Sequence, residues 1–399
     1  MSKYCKSSYS ILWMENLSKV DQAAWDALAV PLKTPFFEWE WLHQMEVSGS
    51  IAPATGWTPQ HLTVWSEKRL VAAAPLYLKN HSAGEFVYDH TWADLAGLLG
   101  IGYYPKLVGM SPVTPVVGYR FLVDPQEDEG RLIQLMVAEI DRFCLGNRIS
   151  ECSFFYVDPD WRLQMLDYDF NSWLHPVNAW QNRGYQSFED FLAVFNSNQR
   201  RNIKRERKKI RNQGLTLEPF KGSDIPRSFL SRMYQFYVRT NDQYGIWNCK
   251  YLTKNFFEGL YDRYRHRLLL MAACRKENQE SPVGLSLFLT KGDLLFGRYW
   301  GSVSDIDSLH FNACYYSPIE WGIAHGIQRF DPGVGSAHKL RRGFEVVPGF
   351  SLHKFYDQRL QLMMQRHIDE INRLEQEYID AMNAGLPFAK LSLTNGKNG

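Results

Sequence analysis

From His61 to Asp89 short, mostly apolar runs separated by polar turns read as three expected strands, HLTVW, RLVAAAPLYL and EFVYD. Turns at Glu67-Lys68 and Ser82-Ala83-Gly84 make this sheet locally antiparallel. A helix is expected around Asp94–Leu99, then a turn-rich stretch, YYPKLVGMSPVTPVVG, a stronger helix over Arg131–Cys144 and a strand near Cys152–Val157. Trp161–Tyr168 reads as a further short helix, and Trp180–Phe195 as a link. The second half repeats this order. LLLMAACRK, PVGLSLFLT and DLLFGRYWG read as strands, with a hairpin turn at Lys291-Gly292-Asp293, a helix from about Ser308 to Ala324 and the strand QRFDP. The paired segments RLVAAAPLYLKNHSAGEFVYDHTWAD and SPVGLSLFLTKGDLLFGRYWGSVSD suggest an internal duplication. At the far end Leu360, Met363, Met364, His367, Ile371, Leu374, Tyr378 and Met382 recur at three- and four-residue intervals, the mark of a long amphipathic helix stopping near Gly385-Leu386-Pro387.

The length of 399 residues exceeds one ordinary core and fits two domains. The expected division is 1–178 and 179–387, the latter holding a basic helix at 196–212 and the C-terminal helix at 357–384, with a disordered tail at 388–399. The 13 Trp, 21 Tyr and 24 Phe call for large buried surfaces or stacking sites. Cys5, Cys144, Cys152, Cys249, Cys274 and Cys314 show no metal-ligand spacing, so reduced thiols in the cytoplasm are expected. The N-terminus lacks a signal-peptide pattern, and the apolar run near Val71–Leu78 is too short to span a bilayer.

A net charge of +2 conceals one concentration: Arg200–Arg211 holds eight of the 45 Lys and Arg residues against one acid, Glu206. In QRRNIKRERKKIR, Arg200, Lys204, Lys208 and Arg211 share a helical stripe, while Ile203 and Ile210 mark another that can pack on the body. Such cations repel unless an anion neutralises them, which favours a phosphate-bearing partner; a merely solvated helix face has the same pattern. Arg201 and Arg205 belong to the same cluster.

The densest chemistry lies between Asp305 and Phe355. In FDPGVGSAHKLRRGF, Gly333 and Gly335 supply conformations in which successive N–H groups converge on an anion, and His338, Lys339, Arg341 and Arg342 add imidazole and charge. Neither a Walker A sequence nor G-x-G-x-x-G is present. On the preceding helix His310 and Cys314 share one face, and Tyr316 and Glu320 another. No third ligand accompanies His310 and Cys314, so no metal is expected. In the first half Trp92, Asp94, Tyr103, Tyr104, Lys106 and Thr114 surround irregular, Gly- and Pro-rich backbone of the kind that lines pockets or packs on itself. Arg298, in the GRYWG strand, is grouped with Tyr316 among the pocket candidates.

With these segments in hand the chain resembles the FemAB-like group of the GNAT acyltransferase superfamily. The matching stretches are WADLAGLLGIGYYPKLVGMSPVTPVVGYR, WQNRGYQSFEDFLAVFNSNQRRNIKRERKKI, and HFNACYYSPIEWGI through FDPGVGSAHKLRRGFEVVPGFSLHKF, from Trp92 to Phe355. The resemblance implies an α+β chain of two tandem GNAT-like domains, each a mixed, mostly antiparallel sheet flanked by helices. It implies acyl or aminoacyl transfer to an amine-bearing small molecule or cell-wall precursor. The donor would be acyl-CoA or aminoacyl-tRNA, with no permanently bound cofactor. The chain lacks the long helical insertion of the tRNA-dependent relatives and also the Q/R-x-x-G-x-G/A loop of acetyl-CoA enzymes. Fem-type transfer starts from an activated ester and rests on positioning and charge stabilisation. Glu320 or His310 is the expected proton acceptor, with His338, Lys339 and Arg342 stabilising negative charge. Two rivals share the same features: a non-catalytic RNA- or tRNA-binding protein on this scaffold, and a scaffold whose basic helix meets anionic lipid.

Overall fold

The computed structural model describes residues 9–245, 249–335 and 337–389. In chain order the strands are β1 (Tyr9–Met14), β2 (Trp57–Pro59), β3 (His61–Ser66), β4 (Arg69–Ala74), β5 (Leu76–Lys79), β6 (Lys106–Gly109), β7 (Leu122–Val123), β8 (Glu151–Phe154), β9 (Asn171–Gln181), β10 (Leu215–Lys221), β11 (Leu268–Arg275), β12 (Gly284–Lys291), β13 (Leu294–Ser302), β14 (Arg329–Asp331) and β15 (Glu345–Phe355). Two sheets result, one ordered β1-β3-β4-β7 and one ordered β10-β11-β12-β13-β14-β9-β15-β8-β6-β5-β2.

Pro75 shapes the first half. The run expected as one strand, Arg69–Leu78, breaks there because proline has no N–H for the ladder, so β4 stays in the small sheet and β5 enters the large one. EFVYD, expected as the third strand, is irregular instead. Phe86 adopts a left-handed φ of 59°, and Glu85 and Asp89 turn inward onto Lys106. The strand that takes its place is β6, four residues inside the stretch expected to be turn-rich.

The duplication is visible in strand order. Outward from the centre, one half reads β8-β6-β5-β2 and the other β14-β13-β12-β11, each beginning with a parallel pair and continuing antiparallel. The two remaining strands are exchanged. β9 follows β8 in the chain but pairs with β14, and β15 follows β14 but pairs with β8. β9 and β15 also pair with each other over nine positions, with Pro176 opposite Pro348. The expected domain boundary at 178/179 therefore falls inside β9.

The basic helix spans Ser197–Asn212, capped by Asn196, whose Oδ1 accepts from Gln199 N at 2.9 Å. Ile203 and Ile210 are buried, as their spacing requires. The C-terminal helix, Gln358–Ala384, packs on β9 and β15 through Leu360, Met364, Ile368 and Ile379. Beyond it the first two residues of the expected disordered tail are ordered: Phe388 forms an antiparallel bridge with Phe195, and Ala389 N donates to Val194 O at 2.8 Å. Residues 390–399 lie outside the described residues. Among the described residues no helix is long and apolar enough to cross a membrane.

The halves differ at their parallel pairs. Beyond Gly109 and Phe154, where β6 and β8 diverge, Tyr119 fills the space, its ring 5.5 Å from Phe154 and 5.9 Å from Trp161. A Cβ on Gly109 would lie 2.3 Å from the Tyr119 hydroxyl and 2.6 Å from Phe154. Gly109→Ala is therefore expected to cost about 2 kcal/mol by overpacking, read from chemical denaturation. An unchanged midpoint would mean that the plug has slack. The matching divergence in the second half is open.

Candidate active site

β13 and β14 pair in parallel for three positions, Leu294–Phe296 against Arg329–Asp331, and then separate. Two residues cause this. Pro332 has no N–H to continue the ladder, and Arg298 is a bulge, since Leu287 faces Tyr299 and Phe288 faces Gly297 with nothing opposite Arg298. The gap opens a cleft of about 280 Å³ whose walls include Phe86, Val113, Pro115, Tyr237, Tyr251 and Val334. A smaller compartment of about 90 Å³ is lined by Ser286, Phe288, His310, Cys314 and Tyr315. Both share Gly297–Trp300 and Pro332. Successive strand residues point to opposite faces. Accordingly Tyr299 meets Tyr237 at a ring distance of 5.5 Å on the cleft side, and Trp300 meets His310 at 5.5 Å on the compartment side. The two chambers thus meet the gap from opposite faces of the sheet.

The compartment is roofed by Leu309–Ala324, whose middle, Asn312–Tyr316, is a π-helical turn. The wider turn shifts side-chain directions, so that Ser286 Oγ donates to Ala313 O at 2.7 Å while Cys314 and Tyr315 both reach the compartment. His310 and His338 have ring centres 5.6 Å apart, and the Tyr315 hydroxyl and His338 Nε2 are hydrogen-bonded at 3.0 Å. Burial, followed by neighbouring positive charge, pulls His310 down to about 3 and His338 to about 4, so both are neutral imidazoles at physiological pH. Burial likewise pushes the Cys314 thiol up, away from thiolate chemistry.

Lys339 is buried and turned inward, its Nζ donating to Gly333 O at 2.7 Å and Val334 O at 3.0 Å. Gly333 and Gly335 have left-handed φ values of 80°, as expected for this loop, but the Gly333 N–H is taken by Asp331 Oδ1 at 2.7 Å. Burial lowers Lys339 to about 8, against a partial counter-effect from Asp331. Between that value and 10.5 the unfolded chain holds a proton that the folded one does not. Stability therefore rises with pH across this window, by up to about 3 kcal/mol. Lys339→Met is expected to flatten this rise, measured as denaturation midpoints from pH 7.5 to 10.5. An unchanged slope would place the titration elsewhere.

The basic helix joins the site through its one acid. Glu206 accepts from Arg342 Nη2 at 3.0 and 3.1 Å and from the Tyr316 hydroxyl, and its carbonyl accepts from Asn312 Nδ2 at 3.2 Å. Arg342 is buried, with its guanidinium 3.3 Å from the centre of the Phe311 ring. Glu320, a candidate proton acceptor, is not among these groups. It is half exposed, pairs with Arg207, and lines a groove of about 730 Å³ with Phe188, Lys204, Lys208 and Arg211. Lys204 pairs with Glu189 at 2.9 Å and Arg205 bonds Asn202 at 3.0 Å. Arg200 Nη2 donates to Phe195 O at 3.0 Å, and Arg201 and Arg341 are exposed.

The first-half candidates are not brought to the gap. Asp94 is exposed on the helix His90–Leu98. Lys106 is wholly buried against Glu85 at 2.7 Å, Asp89 and Ser82 Oγ at 3.0 Å, while the Tyr103 hydroxyl donates to Asp89 at 2.8 Å and Tyr104 bonds Ser82 at 2.8 Å. Thr114 is buried, its hydroxyl spent on Pro112 O at 2.8 Å, although its neighbours Val113 and Pro115 line the cleft. Arg298 does reach both chambers, and Asp331 engages its guanidinium at 3.2 and 3.4 Å. Sequence reading passed over Tyr237, Tyr299, Asp331 and Glu206 as site residues. Only Glu206 carried a signal, as the lone acid in a basic run. Among the described residues no group of three His, Cys, Asp or Glu is arranged for a metal ion.

The model of one protein family, FemAB-like, described as peptidoglycan biosynthesis/recognition, matches residues 16–390. No curated protein sequence matches the chain. Among solved structures, a conserved protein of unknown function from Bacteroides thetaiotaomicron is 9% identical, with 86% of this chain and 99% of the other covered and a TM-score of 0.52. The C-terminal domain of a putative lysylphosphatidylglycerol synthetase from Agrobacterium fabrum is 9% identical, with 88% and 95% covered and a TM-score of 0.51. FemX is 11% identical, with 89% and 99% covered and a TM-score of 0.49. At such identities the likeness is one of fold, an α+β chain whose two halves repeat one strand order.

Proposed function

The chain belongs to the FemAB-like family, and from that premise we propose that it is an aminoacyl transferase, moving an aminoacyl group from a charged tRNA to the amine of a small acceptor through the gap between β13 and β14. One observation carries this reading. The basic helix is tied through Glu206 to Tyr316 of the helix that roofs the compartment and to Arg342, while the cleft on the other face of the sheet is aromatic and nearly uncharged, so a polyanionic donor and an amine acceptor can be held on opposite faces of one sheet. Lys208 and Arg211 are the surplus cations of the groove, since Lys204 and Arg207 already face Glu189 and Glu320.

The chemistry asks little covalent help. The neutral acceptor nitrogen attacks the ester carbonyl carbon, a C–N bond forms, and the C–O bond to the ribose breaks. The proton lost by nitrogen leaves on the departing hydroxyl. Of the two candidate proton carriers, His310 lines the compartment and Glu320 does not, so His310 is assigned the transfer. A neutral imidazole with so low a pKa holds the proton only briefly and passes it on to the leaving oxygen. Arg342 and Lys339 supply the positive field for the developing oxyanion.

The segment before the roofing helix weighs against acyl-CoA as donor. Val303–Ser308 holds Asp305 and Asp307 and no glycine, and Asp307 pairs with Lys209 at 2.5 Å, so a pyrophosphate there would meet carboxylates rather than converging N–H groups. The test offers radiolabelled aminoacyl-tRNA and acetyl-CoA separately, with L-tyrosinamide as acceptor, and follows amide formation. Amide from the tRNA ester alone is the expected result. Amide from acetyl-CoA alone would overturn the donor assignment. Salt-sensitive tRNA binding with neither donor consumed would leave an RNA-binding protein in its place.

A further inference from the structure

Charge is segregated between the outer groove beside the basic helix and the aromatic cleft at the gap. Four of the ten residues lining the outer groove are Lys or Arg. Among the described residues lining the aromatic cleft, Arg298 alone is charged, and Asp331 neutralises it. The polar groups of the cleft's lip are largely spent within the protein. The Tyr237 hydroxyl donates to Cys249 O at 2.7 Å and accepts from Tyr251 N at 2.8 Å, while Asn241 donates to Tyr237 O at 2.9 Å and accepts from Cys249 N at 3.0 Å. Two buried polar atoms of lining residues are left over. Arg298 Nε and the Tyr299 hydroxyl make no hydrogen bond of ordinary length.

We propose that this cleft binds the acceptor and selects phosphate-free amines with an apolar or ring-shaped body and an oxygen acceptor beside the nitrogen. Phe86, Tyr237, Tyr251 and Val334 offer faces for the body, and Arg298 Nε and the Tyr299 hydroxyl are donors for the oxygen. A phosphate placed here would lose its hydration with no unpaired cation among the described lining residues to receive it, a cost that one neutralised arginine does not offset. A nucleotide-linked or phosphorylated precursor is therefore excluded from this chamber. The word acceptor rests on the transferase reading; the selectivity is a property of the cleft itself.

Cys249 supplies a readout independent of turnover, because it is an exposed cysteine on the cleft wall. The experiment measures N-ethylmaleimide alkylation of Cys249 in the full-length protein by peptide mass spectrometry, with L-tyrosinamide or O-phospho-L-tyrosinamide present. Tyrosinamide is expected to slow alkylation with at least about tenfold greater apparent affinity than its phosphorylated twin. Thr240→Lys, which adds a cation at a half-buried position on the wall, is expected to bring the phosphorylated probe level with the neutral one. Equal protection of the unmodified protein by both probes, or protection by neither, would overturn the proposal. Selective protection without amide formation from either donor would sink the transferase reading and leave the cleft's selectivity standing.

Discussion

Replacing Lys106 by methionine is expected to cost the fold about 3–5 kcal/mol at neutral pH, because it strands buried carboxylates without their cation. Lys106, Glu85, Asp89 and Glu151 are all buried, and one oxygen of each carboxylate already has no hydrogen-bond partner. Burial works against the Lys106 charge, but Glu85, Glu151 and Asp89 together outweigh it and hold the ammonium above its usual range. The carboxyls respond unequally. Burial raises Glu85 to about 7, whereas for Asp89 the opposing effect of burial is overcome by Lys106, and its pKa falls. In the variant the folded-state carboxyl pKa values lie above those of the unfolded chain, so the deficit is small below about pH 4 and grows as pH rises. Urea midpoints at pH 7 and pH 4.5 measure it. A loss under about 1 kcal/mol at pH 7 would mean that the cluster is relieved in some other way.

The second large effect is on the outer groove. Changing Lys208 and Arg211 together to glutamate is expected to weaken tRNA binding at least about thirtyfold at 0.1 M salt and to reduce the slope of log K against log salt by about two. Both are exposed and face the groove, so the fold is expected to survive, since Ile203 and Ile210 anchor the helix from its other side. Anisotropy of labelled tRNA across a salt series reads both numbers. An unchanged slope would show that phosphates do not lie along this helix.

The basic helix was legible because its two roles use different stripes of one short segment, and both stripes are local. The second-half hairpin and the C-terminal helix were legible for the same reason: Gly284–Lys291 turns directly into Leu294–Ser302, and a three-four apolar period marks Gln358–Ala384. Lys106 misled the reading. It sits among Gly, Pro and aromatic residues, which suggests a loop, yet it opens a four-residue strand whose parallel partner, β8, lies more than forty residues away. Parallel pairing leaves no turn signature nearby. The active gap was half legible: the Asp-Pro-Gly sequence announced an end to β14, but the bulge at Arg298 depends on register with β12, which the strand's own residues do not state. Glu320 stands beside His310 as a candidate proton acceptor on its spacing from Tyr316, but it pairs with Arg207 on a separate helix and lines the groove.

The exchange of β9 and β15 bears on how the chain is made. During synthesis the residues of β6 and β8 emerge in the first half of the chain, but the strand that covers β8 ends at Phe355. At ribosomal rates of about 5–20 residues per second, some 200 residues and at least ten seconds separate them. Through that interval β8 has an open edge and β9 awaits its partner. The first half therefore cannot finish folding as an N-terminal domain ordinarily does. Completion waits until β15 has been made, and a chain truncated before β15 would emerge with an exposed strand edge, a natural substrate for chaperones or for aggregation.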